Sequence, residues 1–125
     1  MTLASNGQLV AFVPSSDLDR SRTFYESVLG LTIEEVTPFA LVACSGATKV
    51  RITPIEGMRA QPFTVLGWTV EDIHAELAVL QGTGVEPMRP EGIEQDDAGV
   101  WAAPGGAQVA WFHDPDGNVL SLTQH

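Results

Sequence analysis

The stretch "FVPSSDL", residues 12–18, leads from an apolar strand through two serines into a helix. A second stretch, "TVEDI" (69–73), makes the same passage with a shorter connection. In the first stretch, Ser16 or Asp17 can cap a helix whose apolar residues fall at spacings of three and four, and in the second, Asp72 and Ile73 stand where Asp17 and Leu18 stand in the first. The passage occurs twice, about 55 residues apart, which indicates an internal repeat of one structural unit.

The first half of the chain has the pattern of one strand, one helix and three further strands. The strand is "QLVAFVP" (8–14), and the helix follows from Ser16 and stops at Gly30, a residue suited to the left-handed conformation that ends helices. Turn signals separate the three strands that come next, "LTIEEV" (31–36), "FALVACS" (39–45) and "TKVRITPI" (48–55).

The second half repeats this order. The strand "FTVLGWTV" (63–70) precedes the predicted helix "EDIHAELAVLQGTGV" (71–85), in which Ile73, Leu77 and Leu80 share one face. Three strands are predicted after it, near "EPMRPEGI" (86–93), over "AGVWAAP" through "QVAWFHD" (98–114) and over "NVLSLTQ" (118–124). Neither half could bury its sheet alone, so the sequence predicts an α+β fold of two βαβββ modules, 1–60 and 61–125, that form a pseudo-symmetric pair around a shared core.

The composition excludes several functions. With 125 residues and a formal net charge of -10, the chain lacks the positive surface that nucleic acids and anionic membranes require. No apolar run approaches the roughly 18 residues of a membrane helix, and no basic-then-apolar signal opens the chain, so we expect a cytoplasmic protein. Cys44 is the single cysteine and is interpreted as a small buried hydrophobe rather than a nucleophile.

Three features together resemble the vicinal oxygen chelate (VOC) superfamily, which includes glyoxalase I, extradiol dioxygenases, fosfomycin-resistance enzymes and bleomycin-binding proteins. They are the repeated module, the segment "DLDRSRTFYESVLGL" (17–31), and "DPDGN" (114–118) before the last strand. More narrowly, "TVLGWTVEDI" (64–73) and "VAWFHDPDGNVLSLTQ" (109–124) resemble small bacterial members of the superfamily. The resemblance implies that the two modules form a cup-shaped mixed sheet with flanking helices, and that the protein is a homodimer.

The resemblance also implies four places for metal ligands, usually His, Glu, Gln or Tyr. In this sequence those places hold Gln8, Arg51, Val65 and Ser121. A guanidinium donates no lone pair and repels a cation, and valine has no donor atom, so we expect neither a divalent metal nor another cofactor. Asp114 and Asp116 are interpreted as turn formers rather than ligands.

We therefore predict a metal-free protein that binds a small molecule in its cup, of a sequestering or resistance type; the alternative is a metal-dependent lyase or isomerase of the glyoxalase type or a dioxygenase-like enzyme. Arg51 either pairs with a carboxylate such as Glu35 or binds an anionic ligand group. The loop "PEGIEQDDAGVW" (90–101) sets Glu91, Glu94, Asp96 and Asp97 beside the indole of Trp101. These side chains could bind a cationic or flat aromatic ligand; alternatively, the segment is a solvated loop that Trp101 fixes to the core. The predicted ligand-binding residues are Gln8, Arg51, Val65, Trp68, Trp101, His113 and Ser121, and no catalytic residue is assigned.

Overall fold

Each half of the chain forms its own four-stranded mixed sheet in the computed structural model, which describes residues 1–125. The two compact units are Met1–Arg59 and Ala60–His125. The predicted α+β fold with two βαβββ modules is confirmed.

The first unit has a parallel outer pair of strands and an antiparallel remainder. Its sheet order is β1-β4-β3-β2, in which β1 runs parallel to β4. Its elements are α1 (Leu3–Asn6), β1 (Val10–Ser15), α2 (Leu18–Thr23), which continues as a π-helical turn (Phe24–Val28), β2 (Thr32–Val36), β3 (Leu41–Ser45) and β4 (Thr48–Pro54).

The second unit repeats this topology. Its sheet order is β5-β8-β7-β6, and β5 runs parallel to β8 as β1 does to β4. Its elements are β5 (Thr64–Thr69), α3 (Ile73–Gly82), β6 (Trp101–Ala102), β7 (Gln108–His113) and β8 (Val119–Gln124). None of the helices in the chain has the length and apolar character that crossing a bilayer requires.

Aspartate N-caps occupy equivalent places in the two units: Asp17, one of the two caps predicted for the first helix, and Asp72, its counterpart in the repeat. The Asp17 carboxylate accepts a hydrogen bond from the backbone N–H of Arg20, and the Asp72 carboxylate accepts one from Ala75, both at 3.1 Å. Each bond satisfies one of the backbone donors that a helix start leaves unpaired. Gly30, at φ 78°, ends the first helical segment as its position in the sequence predicts.

The strand predicted over 86–93 is wrong. That segment is irregular, because Pro87 and Pro90 cannot donate to a strand ladder, and the backbone of Met88 donates to the carbonyl of Trp111 at 2.7 Å. The single strand expected over 98–114 is instead a hairpin of β6 and β7, which pair at Trp101 with Val109.

One face of each sheet packs against its helix. In the first unit, Ser15 and Ser21 share a buried hydrogen bond of 2.6 Å between β1 and α2. In the second, the Gln124 side chain accepts from the backbone N–H of Ile73 at 2.8 Å. The buried side chains on these helix-facing sides include Val13, Val50 and Ile52 in the first sheet, and Ala110, Phe112, Leu120 and Leu122 in the second. We call the opposite side of each sheet its far face.

Candidate ligand-binding site

The far face of the first sheet presents one side chain from each strand in a row. Phe12 pairs with Arg51 across β1 and β4, Arg51 pairs with Val42 across β4 and β3, and Val42 pairs with Glu35 across β3 and β2. Partners in register point to the same face of a sheet, so these four side chains are neighbours. A concavity of about 400 Å³ lies over the row and is lined by Val10, Phe12, Glu34, Glu35, Val42, Lys49 and Arg51.

Arg51 and Lys49 are the two half-buried cations of this concavity. The ion pair with Glu35 that the sequence allowed does not form, and the guanidinium has no hydrogen bond or ion pair with any side chain of the chain. Lys49, by contrast, donates to the Glu34 carboxylate at 2.8 Å. Arg51 is therefore the positive group on this face whose hydrogen-bonding capacity is unused.

Cys44 belongs to the same face and is bound to the Lys49–Glu34 pair. Its thiol donates to the second carboxylate oxygen of Glu34 at 2.7 Å. This hydrogen bond, with a smaller effect of burial, raises the pKa of the Cys44 thiol, because the bond holds the proton on sulfur. The pKa of Glu34 is lowered by its hydrogen bonds from Cys44 and Lys49. The thiol is half-buried rather than fully buried as expected, and its raised pKa makes it a poor nucleophile.

Replacing Glu34 with glutamine is expected to make Cys44 react severalfold faster with iodoacetamide at pH 8. The substitution removes the carboxylate that holds the thiol proton, so the pKa falls and more thiolate is present. Lys49→Gln should act in the opposite direction, because the Lys49 charge lowers the pKa of Cys44. Equal rates in the three proteins across a pH series would contradict the assigned cluster, and Glu56→Gln, an exposed change outside it, is the control.

The far face of the second sheet has a pair of stacked indoles. Trp111 lies on β7 opposite Ser121, and Trp101 lies on β6 opposite Val109, one diagonal step away. The ring centroids are 5.9 Å apart with an interplanar angle of 28°. A concavity of about 410 Å³ lies at the β6 edge of this sheet and is lined by Glu94, Gln95, Asp96, Val100, Trp101, Ala102 and Gln108, of which Ala102 and Gln108 belong to the helix-facing side. It sets carboxylates beside an indole, a composition that suits a cationic or flat aromatic ligand.

The loop before β6 is held in place by its own side chains. The Asp96 carboxylate accepts from the backbone N–H groups of Ala98 and Val100, each at 2.9 Å, and lies 2.8 Å from Nε2 of His74 on α3. The Gln95 amide donates to the carbonyls of Met88 and Gly99 at 2.9 and 2.8 Å. These bonds fix the wall of the concavity before any ligand arrives.

The carboxylates of this loop differ in their availability to a ligand. The hydrogen bond from His74, followed by those from the Val100 and Ala98 backbone, holds the pKa of Asp96 below its usual range, so this carboxylate is committed to the loop. Glu94 lines the concavity and is exposed, with no hydrogen bond to the chain. Glu91 and Asp97 are exposed and do not line it. Glu94 is therefore the carboxylate that remains for a cationic ligand.

The structure distributes the other predicted ligand-binding residues over several places. Ser121 lies on the far face, in register with Gly67 of β5. The Ser121 hydroxyl occupies the space beside this glycine, since a Cβ added to Gly67 would lie only 2.6 Å from the hydroxyl oxygen. His113 ends β7, exposed and without a side-chain hydrogen bond. Val65 is the unpaired residue of a bulge in β5, and Gln8 is exposed two residues before β1. Trp68 pairs with buried Leu122 and so lies on the helix-facing side, away from Ser121.

Most residues that line the concavities were not predicted from the sequence, and Phe12 and Gln108 are two of them. Phe12 is 65% exposed on β1, next to the buried Val13 of the helix-facing side. Gln108 lines the second concavity at the start of β7. Strand alternation could have found Phe12, because Val13 faces the core and its neighbour must then face away.

The residues present do not fit the metal site of the resembled superfamily. No three His, Cys, Asp or Glu side chains come together in a group that could hold a metal ion. At the four expected places, Arg51 and Val65 supply no metal-binding atom, and Gln8 and Ser121 are weak neutral oxygen donors.

Comparison with known proteins identifies a family and solved structures with the same fold. A model of the Glyoxalase/Bleomycin resistance protein/Dioxygenase superfamily matches residues 7–122. Among solved structures, TnmS3, an antibiotic binding protein from Streptomyces sp. CB03234, has a TM-score of 0.72 at 24% identity, with 94% of each chain covered.

Two further structures show the range of the fold. A lactoylglutathione lyase from Agrobacterium tumefaciens has a TM-score of 0.74 at 16% identity, over 94% of this chain and 92% of the other. A superfamily member from Sphaerobacter thermophilus DSM 20745 has a TM-score of 0.70 at 22% identity, over 95% and 97%. No functionally curated protein matches the sequence. The family match spans nearly the whole chain, and the protein belongs to the Glyoxalase/Bleomycin resistance protein/Dioxygenase superfamily.

Proposed function

We propose that this protein binds a flat, cationic aromatic molecule without a metal ion and acts by sequestering it. The observation that supports this most is Trp101, which lines a preformed concavity together with Glu94 and stacks on Trp111. An indole face attracts both aromatic rings and cations, and a nearby carboxylate adds attraction for a positive charge. The acidic chain, with its net charge of -10, also draws cations toward its surface.

The likeness to TnmS3 agrees with this proposal at the level of fold. TnmS3 is described as an antibiotic binding protein, so the same architecture accommodates an organic ligand. The lyase from Agrobacterium tumefaciens shows equally that the architecture accommodates an enzyme. The side chains favour the binding protein, because Trp101 offers an aromatic surface in a concavity that also holds a carboxylate.

The expected result is that proflavine, a flat cationic dye, raises Tm and quenches the tryptophan fluorescence of the protein. Trp101→Ala should weaken proflavine binding about tenfold or more, because stacking and cation–π contacts are both lost. Glu94→Gln should weaken it less, and Glu91→Gln, an exposed change in the same loop but outside the concavity, should leave it unchanged. Tight binding of the flat anion anthraquinone sulfonate in place of proflavine would contradict the preference for a cation.

The same thermal measurement tests the metal-free part of the proposal. Addition of Zn²⁺, Ni²⁺, Mn²⁺ or Fe²⁺ to chelator-treated protein is expected to leave Tm unchanged. A site filled at a hundred times its dissociation constant would stabilise the fold by about 2.7 kcal/mol, which a melting curve detects easily. A rise of that size with any of these ions, together with stoichiometric metal by elemental analysis, would support the enzyme alternative instead.

The homodimer that the superfamily resemblance implies is a further part of the proposal. Light scattering at several protein concentrations measures it directly, with the mass of two 13.4 kDa chains expected.

A further inference from the structure

We propose that the far face of the first sheet is a binding site for a small monocarboxylate with an aromatic body, in which Arg51 binds the carboxylate and Phe12 contacts the ring. This inference uses residues of the first unit and goes beyond the site at Trp101. It follows from the row that the strand register creates, in which Phe12 and Arg51 are direct neighbours and Val42 and Glu35 continue the line.

The first argument is the state of Arg51. Its side chain is half-buried in a concavity of about 400 Å³, and its guanidinium has no ion pair, whereas Lys49 on the same face is bonded to Glu34. Partial burial without a partner costs free energy, and a ligand carboxylate would recover it through two parallel N–H···O bonds. The planar guanidinium fits that bidentate geometry better than a lysine ammonium would.

The second argument is the position of Phe12. Its ring is 65% exposed, next to Arg51 in register and beside Val10, with which it lines the concavity. Exposed aromatic surface gains free energy when a ligand ring covers it, and the neighbouring Val42 side chain extends the apolar area. The apolar group and the positive group are thus one strand spacing apart, about 5 Å at the backbone, which matches a short aromatic acid.

The third argument concerns the number and sign of the ligand's charges. Glu34 and Glu35 line the same concavity, so a dianion would meet two carboxylates. An aromatic amine is also disfavoured, because Glu35 lies two strands beyond Arg51, across Val42, while the cation lies directly beside the ring of Phe12. A ligand with one negative charge close to an aromatic ring is therefore complementary to Phe12 and Arg51.

The test uses three probes with the same body and different heads: phenylpropanoate, phenylpropanol and phenylpropylamine, each titrated by two-dimensional amide NMR. The carboxylate is expected to bind about tenfold or more tightly than the alcohol, and the amine no better than the alcohol. Shifts should concentrate on β1, β3 and β4. Equal affinities for the three heads, or carboxylate binding that leaves these strands unshifted, would overturn the proposal.

Matched variants test whether Arg51 binds the ligand carboxylate. Arg51→Gln should weaken phenylpropanoate binding about tenfold or more while it leaves phenylpropanol binding unchanged. Phe12→Ala should weaken both probes. Arg22→Gln, a change on the exposed helix surface where Arg22 meets Glu26, is the control and should change neither.

Two results would assign Arg51 another role. If Arg51→Gln dissociates a dimer and no probe binds, Arg51 pairs with a second copy of the chain, and the proposal is overturned. If Arg51→Gln leaves phenylpropanoate affinity unchanged, the anion site lies elsewhere and the proposal is likewise overturned. The proflavine titration and Trp101→Ala test the proposed function with different probes and variants, so the two proposals can fail separately.

Discussion

Replacing Asp114 with alanine is expected to destabilise the protein by about 3–5 kcal/mol, a large share of the stability of a domain this size. Asp114 is 5% exposed and begins the turn before β8. One oxygen of its carboxylate accepts from the backbone N–H groups of Asp116 and Asn118, both at 2.9 Å, and the other accepts from the Asn118 side-chain amide at 2.8 Å. Alanine removes these three bonds, including the one to the amide of Asn118, a side chain that is only 1% exposed.

Denaturant unfolding of three variants tests this role. Asp114→Asn keeps one acceptor oxygen but turns an amide N–H₂ toward the Asn118 amide, so an intermediate loss is expected. Asp97→Ala, an exposed carboxylate without a side-chain hydrogen bond, is the control and should change the free energy of unfolding by less than about 0.5 kcal/mol. A Tm for Asp114→Ala within a few degrees of the wild type would contradict the assigned network, since the expected fall is about 10–20 °C.

The turn at Asp114 was predictable because short polar side chains that bond their own backbone have a recognisable sequence. The same local signal marks Asp17, and the repeat places Asp72 at the equivalent position, where both carboxylates accept from a backbone N–H three positions away. Strand alternation, likewise, is a local signal, and the repeated order of strand and helix follows from it. The fold was therefore largely readable from the sequence.

The second concavity was harder to predict because its wall depends on contacts between separate segments. Gln95 bonds the carbonyls of Met88 and Gly99, and Arg89 donates to the carbonyls of Asp96 and Asp97 at 2.7 Å. No hydrophobic period marks such bonds, so the sequence showed acidic residues near an indole without showing which of them a ligand could reach. The strand wrongly predicted over 86–93 has the same cause, since its backbone bonds are made to side chains and to one carbonyl of β7.

The choice between Trp68 and Trp111 as a ligand-contacting indole is a matter of strand register. Trp68 is in register with Leu122, and Trp111 is in register with Ser121, so neighbouring residues of β8 assign the two indoles to opposite faces. A one-residue difference in register reverses this assignment, and the bulge at Val65 creates such a difference in β5. Sequence alone does not locate a bulge.

Gly99→Ala is expected to cost about 3 kcal/mol or more and to weaken binding at the Trp101 concavity. Gly99 has φ 94°, and a Cβ there would lie 2.5 Å from Cβ of Pro87, so backbone strain and overpacking add together. Gly92→Ala is the matched control in the same loop, with φ 78° and no atom within 4 Å of the new Cβ, and should cost only about 1–2 kcal/mol.

The difference between these two glycine variants isolates the contact with Pro87. Gly99→Ala should displace the loop that Gln95 ties to the Gly99 carbonyl, and so weaken proflavine binding, whereas Gly92→Ala should not. Pro87→Gly, which removes the opposing Cβ, should recover part of the loss when combined with Gly99→Ala, seen as coupling in a double-mutant cycle. Equal unfolding free energies for the two alanine variants would mean that the loop does not pass close to Pro87, and that the wall of the concavity is not fixed there.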